Sequence, residues 1–149
     1  MLSQIGLGTG VLMVSILMGA LSALALEMGF QRWHDWLMRE PHRPKLILVV
    51  MAASLWVLGT ITAGVWLWAL VYDLLGVFPT REEALYFSIV CFTTLGFGDV
   101  LLPPEWRILA GMTSTNGFLN FGLMTALLIE ALRHIRLGQV SRRPKPRQK

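Results

Sequence analysis

The chain has 149 residues, 54% of them hydrophobic and 15% charged, with a mean hydropathy of +0.58. This bounds it to one domain and is too apolar for an ordinary soluble one. The formal charge of +4 would suit nucleic acid, but the basic residues flank apolar runs, so no nucleic-acid partner is expected.

Met1 to Leu26, Leu46 to Val71 and Ile108 to Ile129 contain no Asp, Glu, Lys or Arg, and are 26, 26 and 22 residues long. A spanning helix needs about 20. The pattern predicts an all-α integral membrane protein with three transmembrane helices. Residues 1–30 form the first. Ala23-Leu24-Ala25 would fit a signal-peptide cleavage site, but no Lys or Arg precedes the apolar run, and the helix is expected to be retained.

Residues 31–45 form a linker with Arg32, Arg39, Arg43 and Lys45. Trp33 and Trp36 suit a short amphipathic helix in the membrane interface, and Pro41 and Pro44 should interrupt helix before the next span. The second helix runs from Leu46 to about Tyr72. Trp66, Trp68 and Tyr72 suit a belt at its far end, and Trp56 near its middle suits packing on a neighbouring helix. After a turn at Gly76 to Thr80, Thr80 is the expected N-cap of a short helix with Glu82 and Glu83 in its first turn.

The apolar run Ala84 to Phe92 is too short to span. Followed by the glycine loop Thr93-Thr94-Leu95-Gly96-Phe97-Gly98-Asp99, it reads as re-entrant. Leu102-Pro103-Pro104 closes the loop, and the third span runs from Trp106 to about Arg136. The basic tail, residues 137–149, holds Pro144 and Pro146 and is expected to be disordered.

Lys and Arg set the orientation. The linker has four, and the last stretch has seven: Arg133, Arg136, Arg142, Arg143, Lys145, Arg147 and Lys149. Between Asp73 and Arg107 there are only Arg81 and Arg107, and residues 1–5 have none. Linker and tail are therefore expected in the cytoplasm, with the N-terminus and the glycine loop outside a cell (inner) membrane. Anionic lipid is a candidate partner for both basic segments.

Two glycines at alternate positions let a backbone adopt conformations that a Cβ resists. Thr-x-Gly-x-Gly can therefore turn successive carbonyls to one side, and rings of such oxygens replace the water around K⁺. Thr94 to Gly98 resembles the T-V-G-Y-G signature of potassium channels of the single-pore-loop bacterial type, with Leu95 for Val and Phe97 for Tyr. Its T-x-G-F-G-D form is similar to two-pore-domain channels. Ala84-Leu85-Tyr86-Phe87-Ser88 resembles the family's pore helix. Gly117 and Phe121-Gly122-Leu123-Met124-Thr125-Ala126 resemble its inner helix. The resemblance covers roughly Arg81 to Arg133.

The resemblance implies a pore domain at residues 46–136, a homotetramer, and passive K⁺ conduction. One chain offers one filter strand, and a ring around an ion needs several. Thr94, Leu95, Gly96, Phe97 and Gly98 would form the selectivity filter. K⁺ would lie on the carbonyls of Thr94, Leu95, Gly96 and Phe97 and on the Thr94 hydroxyl. Thr93 would sit at the inner end of the filter and Asp99 just outside it, where it either accepts a bond from Tyr86 or is solvated. Tyr86, Phe87 and Val90 would support the filter from the pore helix. Phe97 lacks a hydroxyl to brace the filter, and Val90 is apolar where some relatives hold a carboxyl. Gly117 and Gly122 are either gating hinges or small residues for close helix packing. Thr125 would face the cavity.

Asp73, Glu82, Glu83, Asp99 and Glu105 against Arg81 and Arg107 make a formal −3 at the outer side of each subunit. This either concentrates cations or is a solvated face. His34, His42 and His134 fall on the cytoplasmic side, and Glu130 with His134 at i, i+4 is either a pH-sensitive pair or an interfacial one. No span carries the arginine repeat of a voltage sensor. No catalytic set, metal cluster or phosphate loop is visible, so neither an enzyme nor a cofactor is expected, K⁺ being cargo. The lone Cys91 can form no intrachain disulfide. Two alternatives remain: a poorly selective monovalent cation channel, and a membrane-anchored interaction protein acting through its basic segments.

Overall fold

The computed structural model describes residues 2–32 and 42–141. Four α-helices make up this part: α1 (Leu2–Arg32), α2 (His42–Leu74), α3 (Arg81–Phe92) and α4 (Arg107–Ser141). A single 3₁₀ turn, Pro104–Trp106, leads into α4. Helices α1 and α2 contain apolar stretches, Leu2–Gly29 and Ile47–Leu74, each of 28 residues and long enough to cross a bilayer. Helix α4 is longer, at 35 residues, but Thr113, Ser114, Thr115, Asn116 and Asn120 interrupt its apolar character.

Two boundaries differ from the sequence reading. Helix α2 begins at His42, with Pro44 inside its first turn. The N–H that proline lacks is one that has no intrahelical partner there anyway. Helix α4 continues through Gly138 to Ser141, past the expected end at Arg136 and into the expected tail. One glycine costs a helix only about 1 kcal/mol, which does not stop it. The interfacial helix expected around Trp33 and Trp36, with His34, and the tail from Arg142 lie outside the described residues.

The short helix α3 lies between α2 and α4 and shares their core. Trp68, Tyr72, Phe87, Phe92, Leu102 and Leu109 pack there with Val65 and Ala84. The Tyr72 ring meets Phe87 edge-on at 5.3 Å and 83°. Its hydroxyl lies 2.6 Å from the Thr113 hydroxyl of α4, so a buried polar bond ties α2 to α4. Trp68 and Tyr72 are therefore core residues, not the surface belt expected of them. Four apart, they share one helix face, and Trp66, two residues from Trp68, is the exposed one of the three.

Helix α1 buries a stripe of small and polar residues, Gln4, Gly8, Ser15 and Gly19. These fall on one side at helical spacing. Asn120 of α4 donates to Ser15 Oγ at 3.2 Å and to Asn116 Oδ1 at 2.7 Å. Lower down α1 turns to α2: the Trp56 indole donates to Ser22 Oγ at 2.8 Å, and Ser22 and Thr60 hydroxyls lie 2.6 Å apart. The helix-packing reading of Trp56 is the one realised.

Candidate functional site

Helix α3 begins where its chemistry says it should. Thr80 caps it, accepting a bond from the Glu83 amide at 3.2 Å, and Glu82 and Glu83 lie in the first turn. Carboxylates are favoured at that positive helix end. The helix stops at Phe92, and Thr93 caps its end in αR geometry. Four amides then fold back on the last turn. Thr93 N–H bonds to the Ile89 carbonyl at 2.9 Å and Thr94 N–H to that of Cys91 at 2.9 Å. Leu95 and Gly96 N–H both reach the Val90 carbonyl, at 3.0 and 3.3 Å. The Thr93 hydroxyl adds a bond to the Ile89 carbonyl at 2.7 Å.

From Thr94 on, the backbone alternates. Thr94, Gly96 and Gly98 have φ of 58°, 60° and 78°, and the residues between them do not. Alternation in the sign of φ can turn successive peptide planes so that their carbonyls share one side. For Gly96 and Gly98 this costs little. For Thr94, β-branched, it is an outlier that its surroundings must hold.

All of Thr93 to Asp99 is exposed in the single chain. Leu95 is 58% exposed and Phe97 65%. The described residues of its own chain leave most of Phe97 uncovered. Val90 is buried, as is Phe87. Main-chain bracing of the loop thus comes from the Ile89, Val90 and Cys91 carbonyls, a role no side-chain reading reveals.

On the far flank of the loop the Tyr86 hydroxyl donates to Asp99 Oδ2 at 2.6 Å. That bond, first among the causes, lowers the Asp99 pKa below the ordinary carboxylate value. Of the two readings of Asp99, the bonded one is present, though both side chains remain exposed. Nearby, Arg81 pairs with Asp73 at 3.1 Å, so part of the outer acidic charge is matched within the chain.

The two α4 glycines separate. A Cβ on Gly117 would run into the carbonyl oxygen of Phe92 and lie 2.6 Å from its carbonyl carbon, while one on Gly122 would meet nothing within 4 Å. Gly117 is thus a point of close packing between α4 and the end of α3. Thr125 and Gly122 lie on an exposed face of α4. Glu130 pairs with Arg133 at 3.8 Å on the surface; the His134 side chain lies outside the described residues. Phe92, fully buried between α2 and α4, went unremarked in the sequence. Its signal there was a bulky aromatic at the last position before the glycine loop.

A family model described as "Ion channel" matches residues 47–134, which is more than half of the chain. No curated protein and no solved structure matches it significantly. The matched stretch runs from α2 through α3 and the loop of alternating φ into α4. A chain with this match over more than half its length belongs to the ion channel family.

Proposed function

We propose that this protein is a K⁺-selective channel, a homotetramer that conducts passively through Thr94 to Gly98. The observation that carries this reading is the alternation of positive φ at Thr94, Gly96 and Gly98. It suits a strand whose carbonyl oxygens line one side, and rings of such oxygens can replace the hydration shell of K⁺. A ring needs several copies. The exposure of Leu95 and Phe97, and of Gly111, Thr115, Phe118, Gly122, Thr125 and Ile129 along one face of α4, supports neighbours and a shared axis. In this reading α1, α2 and α4 all span a cell membrane. The N-terminus and loop face outward, and the basic linker and tail face the cytoplasm and its anionic lipids.

A poorly selective monovalent cation channel is the second reading. Phe97 offers no hydroxyl and Val90 no carboxyl, so Leu95 and Gly96 are held by main-chain bonds to the Val90 carbonyl. Reversal potentials of the purified protein in planar bilayers, with K⁺ on one side and Na⁺ on the other, separate the two. A reversal far from zero, toward the K⁺ equilibrium, is expected, and a reversal near zero favours the second reading. In the same recordings Gly96→Ala and Gly98→Ala should lose discrimination, since a Cβ at positive φ strains the backbone although nothing lies within 4 Å of it. Unchanged selectivity in both would remove the loop from the pathway.

A further inference from the structure

Helix α3 ends on Phe92, and two glycines from different helices flank that residue in different ways. On the α2 side a Cβ at Gly64 would lie 2.8 Å from the ring Cζ and 3.2 Å from Cε2. That contact is with the side chain. On the α4 side a Cβ at Gly117 would lie 2.6 Å from the Phe92 carbonyl carbon and 2.9 Å from its Cα. That contact is with the main chain. The ring also approaches Phe121 of α4, centroid to centroid at 6.3 Å. Ring and backbone of one residue thus gauge the separation of α3 from both neighbours.

Position matters here because Phe92 is two residues from Thr94. The Val90 carbonyl that takes the Leu95 and Gly96 amides is on the same last turn. A shift of that turn moves those amides with it. Interiors are packed closely enough that a lost or added atom is transmitted and not absorbed.

We propose that Phe92, seated between Gly64 and Gly117, is a positioning residue for the conducting loop. Its ring sets the distance of the loop's base from α2, and its main chain rests on α4. The proposal rests on the reading of Thr94 to Gly98 as the conducting strand. It also assigns the two glycines distinct duties: Gly64 makes room for a ring, Gly117 for a carbonyl.

The two contacts differ in what can relieve them, and that supplies the test. Gly64→Ala should displace the ring and lower the K⁺/Na⁺ permeability ratio several-fold. Adding Phe92→Leu removes the ring atoms in conflict and should recover most of the loss. Gly117→Ala meets backbone, so Phe92→Leu should not recover it. Phe92→Leu alone should lower the ratio moderately. Melting of the purified protein in K⁺ and in Na⁺ is the second readout. A contact that is only structural shifts both melting temperatures alike, whereas a positioning residue reduces the extra stabilisation that K⁺ gives.

Two results would overturn the proposal: Gly64→Ala that Phe92→Leu does not improve, or Phe92→Leu with the permeability ratio and the K⁺-specific increment both unchanged. Recovery of Gly117→Ala by Phe92→Leu would also overturn it. Should the unmodified protein pass K⁺ and Na⁺ alike, the selectivity reading fails, and the same recovery pattern is then read in unitary conductance. Should it pass neither ion, the conducting reading fails and the proposal falls with it.

Discussion

Thr94 is the residue at which local preference and conformation conflict most. A β-branched side chain at φ 58° carries a cost of order 1–3 kcal/mol, met by the bonds of Thr94, Leu95 and Gly96 to the last turn of α3. Strain of that kind gathers at working sites. A few residues on, the Tyr86–Asp99 bond supplies the outer tie. It favours the ionised carboxylate, so its contribution is present above the unfolded-state pKa of Asp99. It is lost as pH falls through the lowered folded-state value. Tyr86→Phe should remove the cause of the shift. Acid titration of unitary conductance should then show its midpoint at higher pH than in the unmodified protein. An unmoved midpoint would mean that the bond is not what holds Asp99 ionised. Salt screens exposed charges, so the comparison belongs at one ionic strength.

Helix α1 is the element whose place no pattern in its own sequence revealed. It lies outside the matched stretch, residues 47–134, yet it covers the polar side of α4. Gln4 donates to the Glu105 carbonyl, Gly8 gives way to Met112, and Ser15 accepts from Asn120. Past Gly19 the helix changes partner and bonds to α2 through Ser22. The arrangement straps the first part of α4 to α2. In the proposed arrangement with α4 spanning the membrane, loss of α1 would uncover the amides of Asn116 and Asn120, which is costly in lipid. A double-mutant cycle of Ser15→Ala with Asn120→Leu, read by thermal unfolding in detergent, should give a coupling of about 0.6 kcal/mol, reaching at most ~1.7. Zero coupling would show that the bond is not made in the folded protein.

For the whole molecule, the proposed outer entrance is where composition becomes behaviour. Four copies of the proposed subunit would place a formal −12 around one opening, from −3 each. Quaternary ammonium ions bind where aromatic faces surround them, and the stretch after the loop, Val100-Leu101-Leu102, is aliphatic. External tetraethylammonium should therefore block weakly. Leu101 is 70% exposed and Leu102 is in the core, so Leu101→Tyr should tighten block by about 0.5–2 kcal/mol, while Leu102→Tyr should disturb packing instead. High salt should weaken the part due to the acidic entrance and spare the aromatic part. Strong block of the unmodified channel at high salt would mean that another ring, such as Phe97 or Trp106, reaches the entrance.

Much of this was determined by sequence alone, because the physics involved is local. Charge-free runs of bilayer length mark the apolar helices. Thr80 with two following glutamates marks the start of α3, and alternate glycines mark the loop of alternating φ. The pairing of Tyr86 with Asp99 was legible for the same reason, as both flank one short loop. What only the tertiary structure decided depends on which helix faces lie together. Composition sends Trp68 and Tyr72 to a surface belt, but α3 and α4 take them into the core. Nothing in the run around Gly117 says that a Phe92 carbonyl will occupy the space beside it, and nothing in α1 says that Ser15 will meet Asn120, 105 residues away. A glycine has the same letter whether it bends, turns or makes room, and only the atoms packed against it decide which.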